Sequence, residues 1–300
     1  MAGYALTEEQ VKYFDTAIAP VLRGAVIGRL LIPLAFPRPL GFGVQKVTYN
    51  TMKDMSPAQL SMTMGENIDI AGMIENEVSI PIIHKEFQIP RRTLESSKRS
   101  GVPLDTSSAE LAAEQAAISD NELIVMGGMA IDSGNYSFDG LYTAADNDYS
   151  TTMDWGTAGN ATTAVKGAIK LLLKAKVQGP FNLVINEDQY AEVLGPRSTS
   201  SDRTELAVVR DLLMGGDGNG QRTPFGPGGG GNIYVNPIME TGTGLVLPAP
   251  NKKYADLIVA QDMTTEYEIL SKSRDLFGRV WESVVPRIKR PEAFCKLSDI

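Results

Sequence analysis

The sequence predicts an α+β fold with no internal repeat, and three observations carry that expectation. Capping boxes open long runs at helical spacing, short buried runs of β-branched and aromatic residues recur between them, and residues 49–80 fit neither pattern. The 300 residues are 43% hydrophobic and 21% charged, which suits a packed protein and excludes intrinsic disorder or a collagen-like chain. The longest apolar stretch, residues 25–36, is cut by Arg29 and Pro33 and falls short of the roughly 20 residues a membrane helix needs. Residues 1–10 carry acids where a secretory leader has a basic region, and the single cysteine, Cys295, cannot close an internal disulfide. A reducing cytosol is therefore expected. The 28 Lys and Arg against 36 Asp and Glu leave a formal charge of -8, which argues against a free nucleic-acid binder.

The first element is a helix opened by the capping box Thr7-Glu8-Glu9-Gln10, with Leu6 and Val11 placed for a hydrophobic staple. Val11, Phe14, Ile18, Val21 and Leu22 form its apolar stripe, and Pro20 kinks or restarts it. Pro33, Pro37 and Pro39 then force an extended arm through residues 40–43. Residues 49–80 hold Met52, Met55, Met62 and Met64 but little that builds a core, so this stretch should lean on a neighbouring subunit. Residues 80–89 alternate as a strand, and a basic patch of Arg91, Arg92, Lys98 and Arg99 follows. A second capping box, Ser107-Ser108-Ala109-Glu110, opens an alanine-rich helix over 108–126 that Gly127-Gly128 stops.

Beyond it, residues 140–161 read as loop or short hairpin and 165–177 as an amphipathic helix. A buried strand is expected over 181–185, with Asn186 capping the next helix, and a further helix over 203–214. The glycine-dense loop 215–231 precedes strands at 233–235, 245–247, 257–260 and 279–285.

A search for chemistry finds little. The only histidine, His84, sits in a strand pattern, where a Ser-His-acid arrangement is formally open but a structural role is commoner. One His and one Cys exclude metal sites built on those residues. Cys295 has no visible base or electropositive setting. Gly226, Gly228 and Gly231 match a dinucleotide fingerprint by letter, but a strand follows where the motif needs a helix. Asp146-Asn147-Asp148 hints at a calcium loop, yet its twelfth position is Thr157 instead of Glu, so it reads as a solvated turn. Caps, a spine-like helix and an uncored excursion, with no catalytic constellation, are features of an assembly protein.

Several segments resemble the encapsulins, nanocompartment shell proteins that share the tailed-phage major-capsid fold. Gly179-Pro180-Phe181-Asn182-Leu183-Val184-Ile185-Asn186 is similar to the family's Gly-Pro-Tyr-x-Leu-Val-Ile-Asn strand. Leu257-Ile258-Val259-Ala260-Gln261-Asp262-Met263-Thr264, followed by Tyr267, resembles its Leu-x-Leu-Gly-Gln-Asp-Leu-Ser strand. Glu282-Ser283 and Pro291-Glu292-Ala293 match its closing strands, and Pro39-Leu40-Gly41-Phe42 resembles its Pro-Leu-Gly-Trp. Order and spacing agree along nearly the whole chain.

The resemblance implies a capsid fold of the Hong Kong ninety-seven type. Residues 1–48 would form the N-terminal helix and arm, 49–80 an extended loop, and 81–161 with 254–300 a peripheral domain holding the spine helix. Residues 162–253 would form an axial domain. It implies an icosahedral homo-oligomer, cytoplasmic and free of membrane, around a cargo protein whose short terminal peptide docks on the inner wall. Arg29-Leu30-Leu31-Ile32 takes the place of the family's Arg-Lys-Phe-Val, so Leu31 and Ile32 are the candidates for that groove. Gly195, Pro196, Arg197, Ser198, Thr199, Ser200, Ser201 and Asp202 occupy the position of the five-fold pore segment. Arg92 stands where some members carry a flavin-stacking Trp, and no cofactor is expected. Two alternatives stay open: a viral or proviral major capsid protein enclosing DNA, and a soluble hydrolase using His84.

Overall fold

A computed structural model describes residues 27–52, 72–100, 107–131, 136–150, 152–197, 203–215, 231–269 and 275–300, with Ala58, Leu60 and Met62 between the first two. The helix expected from Thr7 and residues 216–230 of the glycine-dense loop lie outside the described residues.

The first short helix is α1 (Gly28–Leu31). Two strands, β1 (Lys46–Met52) and β2 (Met73–Ser79), pair antiparallel from Lys46↔Ser79 to Met52↔Met73. This ribbon was not expected from the sequence, because polar residues on both faces hide the period-2 signal. Strand β3 (Ile83–Ile89) begins after Pro81, which has no N–H to give a ladder. Helix α2 (Arg91–Ser100) carries the basic patch, and α3 (Ser107–Val125) is the expected alanine-rich spine.

After α3 the chain turns at Gly127 (φ 64°), where an added Cβ would lie 1.8 Å from the Gly140 nitrogen. The close approach joins β4 (Gly127–Ile131) and β5 (Tyr136–Asp139) into a hairpin. Residues 140–161, expected as loop or short hairpin, contain β6 (Asn147–Ser150), which pairs with the C-terminal strand instead of with a hairpin partner. Helix α4 (Asn160–Lys174) starts five residues earlier than its periodicity suggests. Its cap comes from far away: the Glu205 carboxylate accepts from Gly159 N at 3.1 Å and Thr162 N at 2.7 Å.

The buried strand β7 (Phe181–Ile185) matches its expected bounds, and α5 (Glu187–Val193) is capped by Asn186, whose Oδ1 accepts from Asp188 N at 3.0 Å. Helix α6 (Glu205–Leu213) follows, then β8 (Ile233–Val235) and β9 (Thr243–Pro248). Two long strands, β10 (Ala255–Ile269) and β11 (Leu276–Ile288), extend well past the apolar runs that announced them. Strand β12 (Cys295–Ser298) ends the fold.

Two sheets organise these elements. One has the order β6-β12-β9-β7-β8, and α4 and α6 pack on it around Val165, Leu172, Phe181, Ile185 and Val209. It joins strands from residues 81–161 and 254–300 to those of 162–253. The other, β10-β11-β3, is covered by α3, whose Ala109, Ala112, Ala113 and Ala116 let Phe87, Ile89 and Val280 approach closely. Residues 33–41 run beside β10: Leu257 N donates to Pro33 O at 2.9 Å, Ala35 N to Leu257 O at 2.7 Å and Leu40 N to Val259 O at 3.0 Å.

One ion cluster ties arm, spine and sheet together. Gly28 sits on α3, its N–H donating to Asn121 Oδ1 at 2.8 Å. Arg29 donates from Nε to Asp120 Oδ2 at 2.8 Å and from Nη2 to Glu282 Oε2 on β11. Both carboxylates are buried, and their second oxygens find no donor among the described residues. Burial, then the charge of Asp120 and Asp262, pushes the Glu282 carboxyl up from its ordinary 4.5 to about 8, against the pull of Arg29. Burial raises Asp120 as well, with Arg29 opposing.

An acid whose folded pKa is raised stabilises the fold fully below its unfolded value, and that contribution drains away as pH climbs through the folded one. The folded chain should therefore lose stability between about pH 4.5 and 8, with a slope from this group of at most ~1.4 kcal/mol per pH unit. Glu282→Gln should flatten that slope in chemical unfolding followed by tryptophan fluorescence; parallel pH profiles for the two proteins would refute it.

Candidate assembly and cargo surfaces

Leu31 and Ile32, the residues expected at the cargo groove, lie inside the subunit. Both residues are core: they are 1% and 4% exposed and pack against Pro248, Tyr254, Ala255 and Phe294. The helical turn that fixes Arg29 on α3 turns Leu31 inward, so exposed apolar surface on this arm falls instead to Leu30, Leu34 and Phe36, at 59%, 51% and 38%.

The expected pore segment begins on a well-defined neck. Arg197 N donates to Arg203 O at 3.1 Å, Glu205 N donates to Gly195 O at 3.0 Å, and Pro196 faces Thr204. Gly195, Pro196 and the half-buried Arg197 are thus fixed against the start of α6, beside the Glu205 carboxylate that caps α4. Ser198, Thr199, Ser200, Ser201 and Asp202 lie outside the described residues.

The ribbon β1–β2 projects from Ile80, whose N–H donates to Gln45 O at 2.8 Å. Its grip on the body is mixed: Val47 and Val78 pack against the core of Ile80, Phe138 and Val285, Tyr49 OH donates to Ile288 O at 3.4 Å, and the Arg287 guanidinium lies 5.2 Å from the Tyr49 ring centre. Asn76 Nδ2 donates across the strands to Thr51 Oγ1 at 2.9 Å. No described side chain of either strand is buried. The alternation Val47-Thr48-Tyr49-Asn50-Thr51 is the β-branched and aromatic signal that could have disclosed the first strand.

The remaining reactive candidates are structural. His84 is exposed on β3 opposite Trp281 and makes no hydrogen bond among the described residues. Cys295 is buried on β12, where desolvation and then the Asp148 charge push its thiol up to about 12, far from a nucleophile's range. Asn147 and Asp148 belong to β6 and hold the C-terminal segment: Asn147 Nδ2 donates to Glu292 O at 2.7 Å, and Ser298 Oγ donates to Asp148 Oδ1 at 2.9 Å. No cluster of three or more His, Cys, Asp or Glu among the described residues could hold a metal, and no described helix is long and apolar enough to cross a membrane. In the basic patch, Arg92 and Arg99 are exposed, while the Arg91 N–H donates to Asp275 Oδ1 at 2.7 Å.

Comparison with known proteins agrees with a fold made of surfaces instead of a reaction centre. The chain is 27% identical over 301 residues to the type 1 encapsulin shell protein EncA of Myxococcus xanthus (strain DK1622), covering 97% of this chain and 93% of that one. A virus-like particle from Pyrococcus furiosus superposes with a TM-score of 0.65 at 20% identity, covering 97% of this chain and all of the other. The capsid of Myoviridae phage XM1 gives 0.67 at 12% identity over 92% of each chain, so the fold is that of a tailed-phage capsid protein. The model of the Linocin_M18 family, described as an encapsulating protein for peroxidase, matches residues 3–217. The chain therefore belongs to this family, the encapsulins, whose members are structural shell proteins and not enzymes.

Proposed function

We propose that the chain assembles with itself into a closed icosahedral compartment in the cytoplasm, around a cargo protein recruited by a short terminal peptide. The observation that carries this reading is the β1–β2 ribbon, none of whose described side chains is fully buried within the subunit. In the shell, residues 1–48 are the arm, 49–80 the extended loop, 81–161 with 254–300 the peripheral domain, and 162–253 the axial domain. Residues 195–202 line an opening on the five-fold axis, where Arg197, repeated by symmetry, favours anions. The family's description, an encapsulating protein for peroxidase, supports a protein cargo for this chain too.

Negative-stain microscopy of the purified full chain, with protein and nucleic-acid analysis of the contents, tests this. Uniform closed particles containing protein are expected. A monomer at physiological salt would overturn the proposal, and particles filled with DNA would assign the chain to viral packaging instead.

The cargo peptide docks on the arm, over Leu30 and Leu34, with the buried Leu31 and Ile32 shaping the wall beneath. Apolar contact there is worth about 25 cal/mol per Å² removed from water. Leu30→Asp combined with Leu34→Asp should leave particles intact and reduce co-purifying cargo at least tenfold; wild-type cargo content would place docking elsewhere.

A further inference from the structure

The neck between α5 and α6 is a two-rung stem that rests on one carboxylate. Arg197 N donates to Arg203 O at 3.1 Å and Glu205 N to Gly195 O at 3.0 Å, on either side of the facing pair Pro196 and Thr204. Proline suits that place, because a residue lying between two rungs points its N–H position away from its partner. The first strand of the stem leaves the end of α5, where Gly195 N donates to Glu192 O at 3.1 Å, and the second runs into the first turn of α6. A helix start leaves its first N–H groups without internal partners, so the stem satisfies one of them at Glu205.

Glu205 acts in two directions from that turn. Its backbone closes one rung, while its side chain crosses to another helix and accepts from Gly159 N at 3.1 Å and Thr162 N at 2.7 Å at the start of α4. The residue is 2% exposed, so water does not replace either bond once it is lost. Gly159, at φ 95°, lies against the neck as well: a Cβ there would come 3.9 Å from Arg197 O. Arg203 Nη2 donates to Asp211 Oδ2 at 2.6 Å and fastens the stem to α6. The Glu205 carboxylate fastens that unit in turn to α4. A carboxylate can take both N–H groups because each of its oxygens accepts; an amide would turn an NH2 toward one of the two donors.

We infer that Glu205 is the positioning residue of the opening: by tying the first turn of α6 to the first turn of α4 it sets where the stem points, and so where Arg197 stands. The inference deepens the proposed opening on the five-fold axis and rests on that reading. Arg197 supplies the charge that an entering anion meets, whereas Glu205 touches no solute and acts through the stem.

Particles reassembled around a fluorescent dextran and mixed by stopped flow with iodide or acrylamide give the entry rate of an anion relative to a neutral quencher. Arg197→Ser should lower that ratio by roughly threefold or more. Glu205→Gln, whose NH2 group opposes the Gly159 or Thr162 N–H, should lower it comparably although Arg197 is intact. Ala168→Gly weakens α4 in its middle; it should lower the melting temperature and leave the ratio unchanged, which separates positioning from a merely structural cap. If Glu205→Gln subunits fold without assembling, amide exchange over residues 195–205 decides instead, and faster exchange at Arg197 and Glu205 than in the wild-type subunit is expected. An unchanged ratio in Glu205→Gln particles, or equal exchange in the unassembled subunits, would overturn the positioning role alone. An unchanged ratio in Arg197→Ser would overturn the placement of the opening and this role with it.

Discussion

A two-stranded ribbon cannot build a core from itself, and that constraint governs the molecule. The strands β1 and β2 satisfy each other's backbone groups over seven residue pairs, yet no described side chain along them is buried. An isolated hairpin of this kind is marginal in water at best. Its anchors to the body include Val47 and Val78 packed against the Ile80 and Phe138 core, the Ile80 amide, and, midway along the ribbon, the Tyr49 hydroxyl and the Arg287 cation over its ring. Met73 and Ile74, further out, are exposed, and cover by another molecule would add to the ribbon's stability, as suits a component of a larger body.

The rest of the fold is arranged to hold that projection steady. The long strands β10 and β11 run from the core around β7 to the one under α3, so the same pair of strands belongs to both packed regions. The arm lies along β10 and is fastened by Arg29 to the spine helix and to β11. This fastening has an energetic cost. Two buried carboxyls share one guanidinium, so removing Arg29 would leave buried negative charge without a partner, the usual cost of breaking a buried ionic cluster. A protonated Glu282 lowers that cost, which is why its raised pKa belongs with the geometry of the cluster.

What the sequence disclosed follows from the range of the interactions involved. Strand β7 is a short buried run, apolar except for Asn182, and α3 has its own capping box and glycine stop; both could be read because their signals are local. The ribbon escaped because neither face is fully buried in the subunit: β1 carries only the short alternation Val47-Thr48-Tyr49-Asn50-Thr51, and β2 has polar residues on both faces. Strand β6 and the true start of α4 depend on partners far along the chain, β12 and Glu205. Arg29 meets residues 91 and 253 positions away, and no spacing rule reaches that far. Leu31 and Ile32 were named for the cargo groove from their place after the N-terminal helix; which of four successive residues faces inward is decided by how α1 seats on α3.

Covering of the ribbon by neighbouring copies is the central claim, and amide hydrogen exchange reads it directly. Intact particles and dissociated subunits would be compared over residues 46–52 and 73–79, with β7 as an internal reference that is protected in both. The account predicts slow exchange along the ribbon in particles and exchange at least a hundredfold faster after dissociation. Equal, rapid exchange of the ribbon in both states would contradict it.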